Sequence, residues 1–82
     1  MRACFVGSRP CRGVPVDYFL LVEERDAPPG HYGICVESGG ERTEIPAITV
    51  SQPGILSLLS RLMRGGVTPV AARDVVEDWL LE

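Results

Sequence analysis

The 82-residue chain has no lysine and no asparagine, one histidine (His31) and one tryptophan (Trp79). Without lysine there is neither a Schiff-base amine nor a phosphate-loop ammonium. Without asparagine there is no N-glycosylation acceptor. A single histidine cannot build a three-histidine metal site. No apolar run approaches the roughly 20 residues that cross a bilayer, and no basic block is long enough to grip a phosphate backbone. The chain is 45% hydrophobic and 23% charged with a formal net charge of −3. That composition excludes a disordered tail and a collagen-like chain, and the length suits one domain rather than two.

All eight basic residues are arginine, and they are unevenly spread. Residues 1–15 carry Arg2, Arg9 and Arg12 and no acid; the rest of the chain is net acidic and argues against nucleic acid as a partner. The cysteines are Cys4, Cys11 and Cys35, an odd count that does not complete a disulfide framework. The first residues lack the apolar stretch of a secretory signal, so a cytoplasmic location with reduced thiols is expected.

Residues 1–15 show no sustained periodicity and read as an arm, with Ala3–Val6 as a candidate short edge strand. From Val16 to Glu24 the chain reads as a strand with Val16, Tyr18, Leu20 and Val22 on one face and Phe19 and Leu21 on the other. Arg25–Gly30, with Pro28 and Pro29, is a turn. His31–Ser38 is a second strand. Gly39-Gly40 predicts a hairpin of the primed type that matches strand twist. Arg42–Val50 is a third strand, and Pro46 within it cannot donate to a ladder, which predicts an edge or a bulge.

The period then changes from two to 3.6. Ser51 is a good N-cap, and Ile55, Leu58, Leu59, Leu62 and Met63 form one helical stripe that ends at Gly65-Gly66. Thr68 and Pro69 start a second helix, whose stripe is Ala72, Val75, Val76, Trp79 and Leu80. The expected fold is α+β: a three-stranded antiparallel meander, four-stranded if Ala3–Val6 pairs, followed by two amphipathic helices packed on one sheet face. Residues 1–15 form the arm in this reading, and residues 16–82 the single domain.

Two stretches carry a resemblance. Tyr18-Phe19-Leu20-Leu21-Val22-Glu23-Glu24 resembles the first strand of a family of short bacterial proteins of unknown function. Val67-Thr68-Pro69-Val70-Ala71-Ala72-Arg73-Asp74-Val75-Val76-Glu77-Asp78-Trp79-Leu80 is similar to that family's closing pattern, in which Ala72 replaces the usual leucine. The resemblance covers roughly the last 65 residues, leaving out the arm. It implies a cytoplasmic protein of a Gram-positive, mostly anaerobic and often spore-forming bacterium, with this strand and helix order. It supplies no activity, cofactor or catalytic residue.

The residues themselves offer little chemistry. Cys4, Cys11, Cys35 and His31 contain no C-x2-C chelate, so no metal is expected. On one extended strand His31 and Cys35 stand about 13 Å apart, too far for a nucleophile–base pair. Glu23 and Glu24 point to opposite faces of a strand, and Glu77 and Asp78 diverge on a helix. No catalytic, cofactor or metal residue is therefore assigned.

Two surfaces remain. Glu77, Asp78 and Glu82 oppose the dipole at the end of the last helix, and Asp74, Glu77 and Asp78 form a candidate acidic docking strip. Phe19 and Leu21 mark the sheet face that the helices leave open. Trp79, at a stripe position, is expected in the core. The expected function is a small non-enzymatic protein-interaction or regulatory module, binding a protein partner or self-associating. The alternatives are a small-molecule or nucleic-acid binder using the arginine arm, and a minimal cysteine-dependent enzyme.

Overall fold

The structure, a computed structural model, describes residues 2–23 and 31–82. Glu24 and the turn expected at Arg25–Gly30 lie outside the described residues. The chain runs β1 (Arg2–Cys11), β2 (Val14–Glu23), β3 (His31–Ser38), β4 (Glu41–Thr49), α1 (Gln52–Arg64) and α2 (Pro69–Leu80). The four strands form one antiparallel sheet in chain order, so β1 and β4 are its edges.

The alternation in β2 decides the layering. Val16 and Tyr18 are fully buried with Ile34 and Val36 of β3 against Ile55, Leu58, Leu59 and Leu62 of α1 and Ala72 and Val76 of α2. Both helices thus lie on one face, and the shortest dimension of the molecule, 17 Å, fits one sheet and one helical layer. Tyr18 Oη donates to the Val67 carbonyl at 2.8 Å, pinning the connection between the helices to the sheet. Thr43 Oγ1 donates to the Pro69 carbonyl at 2.8 Å and fixes the start of α2 over β4.

At the N-terminus the sheet takes the four-stranded form that pairing of Ala3–Val6 allows, and the pairing extends well beyond those four residues. The expected arm is a ten-residue strand, paired with β2 from Arg2↔Val22 to Cys11↔Val14. Its turn is Arg12-Gly13, with φ of 52° and 81°, the same primed geometry as Gly39-Gly40 at 55° and 86°. A bulge between Phe5 and Gly7 shifts the pairing, so Cys4, Gly7, Arg9 and Cys11 all oppose even-numbered residues of β2 on the helix side. A Cβ on Gly7 would stand 3.0 Å from Met63 Sδ, which shows how closely α1 approaches β1.

Pro46 meets both expectations at once. It lies on an edge strand, where the register jumps between Tyr32↔Thr49 and Ile34↔Ile45, and Ala47 has φ of 55°. This bulge folds toward Gly33. A Cβ there would lie 2.3 Å from the Ile45 carbonyl oxygen and 2.6 Å from Pro46 Cα.

The helix ends follow their sequence signals with one exception. Ser51 Oγ accepts from Gly54 N at 3.0 Å, capping α1. Gly66, at φ 58°, closes α1 with Val67 N donating to the Leu62 carbonyl at 3.1 Å. Thr68 occupies the N-cap position of α2, but its side chain makes no capping bond; Pro69 at N1 removes one of the N–H groups that need a partner. Leu80, expected in the apolar stripe, is 55% exposed, because the last turn of α2 runs past the sheet-facing core of Ala72 and Val76.

Candidate functional site

The side of the sheet away from the helices is read from the register. Across the strands, Ser8, Asp17, Glu37 and Arg42 form one row, and Phe5, Phe19, Cys35 and Glu44 the next. Ala3, Leu21 and Gly33 form a third, which the β4 bulge overhangs at Gly33. Among the described residues no helix lies on these rows: Ala3, Phe5, Ser8, Arg42 and Glu44 are exposed there, Asp17, Phe19 and Glu37 are half-buried, and Leu21 and Cys35 are buried beneath them.

An aromatic pair occupies the middle of this face. The rings of Phe5 and Phe19 meet edge to face with centroids 5.6 Å apart and an interplanar angle of 69°. Phe19 is half-buried, while Phe5 is 62% exposed, a large apolar ring held in water by a strand edge. Leu21, expected on the exposed surface beside Phe19, is 3% exposed. It is part of the floor of this face, and Phe5, which the arm reading passes over, is the ring that projects. The signal that points to Phe5 is Ala3–Val6 read as a strand with the parity of Phe19.

Charge gathers on the other side of the ring pair. Arg42 donates from Nε to Glu44 Oε1 at 2.8 Å and from Nη1 to Glu37 Oε2 at 3.1 Å, and its Nη2 also contacts Glu44. Asp17 directly faces Glu37 across the β2–β3 pair, and no Arg42 contact reaches it. Like charges opposed in this way are destabilising. Burial pushes the Cys35 thiol up, with Glu44 and Glu37 adding to the rise and Arg42 opposing it. A nucleophilic thiol requires the reverse.

The second expected surface lies on the opposite layer. Asp74, Glu77 and Asp78 are all exposed on α2 and form no ion pair among the described residues. Glu82 differs from them. Arg61 Nη1 donates to its Oε1 at 2.6 Å, and that bond holds the Glu82 carboxyl below the usual range. A cation from α1 therefore answers the dipole conflict at the chain end, and the conflict persists at Glu77 and Asp78. Trp79 is half-buried, packed against the core and close to Gly54 at the start of α1.

The soft ligands do not converge. Cys4 and Cys11 face the helix side and Cys35 the open side, so the sheet separates them. His31 and Cys35 sit on an uninterrupted strand, with no bend to shorten the distance between them. Among the described residues no group of side chains is arranged to hold a metal, and no cavity is found. Among the described residues no helix is long and apolar enough to cross a membrane.

The fold and this surface define a class: a two-layer α+β domain with a four-stranded meander that carries helices on one side and, among the described residues, none on the other. Within it, the chain belongs to the family of unknown function DUF6514, whose model matches residues 6–82 and so includes most of β1. No curated protein and no solved structure matches the chain.

Proposed function

We propose that this protein is a small non-enzymatic interaction module of the bacterial cytoplasm that binds a protein partner through its open sheet face. The observation that carries the reading is the Phe5–Phe19 pair, with Phe5 62% exposed on a face that has no helical layer among the described residues. Holding a phenyl ring in water is unfavourable by about 1.5–3 kcal/mol relative to burying it, and aromatic residues are enriched at the energetic centres of interfaces. Self-association through the same face is the homotypic form of this reading. The Gram-positive, spore-forming host implied by the sequence resemblance is part of the proposal.

The test is capture from cells of the native host, using the full chain and a Phe5→Ala chain as baits, with quantitative identification of retained proteins. The reading expects at least one protein held by the first bait and lost from the second. Identical sets on the two baits would remove the open face from the function.

A further inference from the structure

The open face also specifies the chemistry of its occupant. We infer that it binds an amphipathic helix whose apolar stripe is flanked by arginine or lysine. The inference rests on the docking role proposed for this face and adds the chemistry of the partner.

Geometry selects the helix. The four strands span about 14 Å at their spacing of about 4.8 Å, and a helix with its side chains is about 10 Å across. One helix laid over Phe5 and Phe19 would complete the layer on this side, as α1 and α2 complete it on the other. A strand added at an edge would extend the sheet without laying a layer over the exposed Phe5 ring. The β4 edge is further obstructed by Pro46 and its bulge.

Charge complementarity selects the flanks. Asp17, Glu37 and Glu44 border the ring pair, with Arg42 as the cation on these rows. Arg42 is already shared between Glu37 and Glu44. Arg2 and Arg9 of β1 pair with Val22 and Val16 and so belong to the helix side of the sheet. Asp17 and Glu37, opposed across two strands, are thus a like-charged pair that a partner's guanidinium or ammonium would relieve. A second copy of this chain would bring the same excess of negative charge to the interface, and like-charge juxtaposition disfavours it.

The test selects ligands without assuming a sequence. A displayed library of amphipathic peptides about 18 residues long, or five helical turns, is randomised at the positions flanking a fixed apolar stripe and panned against the full chain. Winning peptides are then synthesised and their affinities measured by fluorescence anisotropy. The inference expects arginine and lysine to be enriched at the flanks. It expects Phe5→Ala to weaken binding at least about tenfold, and Asp17→Asn to weaken it about fivefold at low salt, an effect that fades at high salt. Val70→Ala, on the exposed side of α2, is expected to change nothing. Phe5→Leu, which keeps an apolar group of similar size, serves as the folding control, alongside thermal melts of every variant.

Neutral or acidic winners that still require Phe5 would overturn the charge inference and leave the docking role intact. Binding indifferent to Phe5, or no binder at all, would overturn both. A full chain that sediments as a dimer, and as a monomer after Phe5→Ala, would replace the basic helix by a second copy.

Discussion

Burial sets the titration of two side chains in opposite layers, and pH reads both. Tyr18 is fully buried under the helices, and its hydroxyl is pushed up by that burial, with Cys11 adding and Arg9 opposing. Cys35 is fully buried on the open side and is also pushed up. For each, the unfolded chain loses its proton first as pH rises. The unfolded state then binds fewer protons than the folded one, and stability declines with pH. The decline begins near the ordinary thiol pKa of about 8.5 and continues through the phenol range near about 10. Urea midpoints measured from about pH 7.5 to about pH 10.5, a window that brackets both ordinary values, are expected to fall steadily. Cys35→Ala should flatten the first part of that fall and Tyr18→Phe the second. Tyr18→Phe is also expected to cost about 1 kcal/mol at neutral pH through the lost bond to the Val67 carbonyl. A flat profile in the parent chain would show that neither group keeps its burial in solution.

At the scale of elements, the turns explain what the sequence discloses and what it conceals. Gly39-Gly40 is readable because both positions need positive φ and glycine accepts it without cost. Arg12-Gly13 adopts the same geometry with an arginine at φ 52°, a residue that marks no turn by its type. β1 hides a second time through its bulge. Cys4 and Gly7 lie on one side of the sheet although their numbers differ in parity, so no alternation survives along the strand. The consequence for the candidate site follows from particular residues. Parity within an unbroken β2 places Phe19 and Leu21 on the right face. Phe5 falls within the candidate strand Ala3–Val6, but its place beside Phe19 depends on a pairing register that local pattern does not reveal, and the burial of Leu21 depends on neighbours that no local pattern encodes. These turns and bulges are also where substitutions should act most sharply. Arg12→Asn suits the left-handed region better and is expected to stabilise the domain by about 0.5 kcal/mol. Gly33→Ala places a methyl group 2.3 Å from the Ile45 carbonyl oxygen and is expected to destabilise by at least about 2 kcal/mol, since backbone must move. Ser51→Ala removes the cap on Gly54 N at a cost of about 1 kcal/mol. Chemical denaturation is expected to rank the Arg12→Asn protein above the parent, the Ser51→Ala protein below it and the Gly33→Ala protein lowest. A Gly33→Ala protein as stable as its parent would mean that the β4 bulge does not overhang β3.

For the whole molecule, the decisive question is whether β1 belongs to the domain or merely precedes it. A domain of this size buries only about 60% of the surface its unfolded chain exposes, so the loss of one strand is not easily absorbed. β1 closes the pairing of β2 from Val14 to Val22, approaches Met63 of α1 at Gly7, and carries the exposed ring of the open face. Deleting residues 1–13 would uncover the β2 edge, whose Phe19-Leu20-Leu21-Val22 run is an apolar template for pairing with other chains. The truncated chain is therefore expected to aggregate, or to lack a cooperative thermal transition under conditions where the full chain has one. Far-UV circular dichroism and light scattering of the two chains side by side measure this. An arm predicts the opposite: removal of residues 1–13 would leave the melting temperature where it was, and the domain would be the three-stranded meander with two helices. Because Phe5 lies on the deleted segment, an intact truncated domain would also separate the fold from the docking face, and the aromatic pair would have to be explained as an addition to a domain already complete.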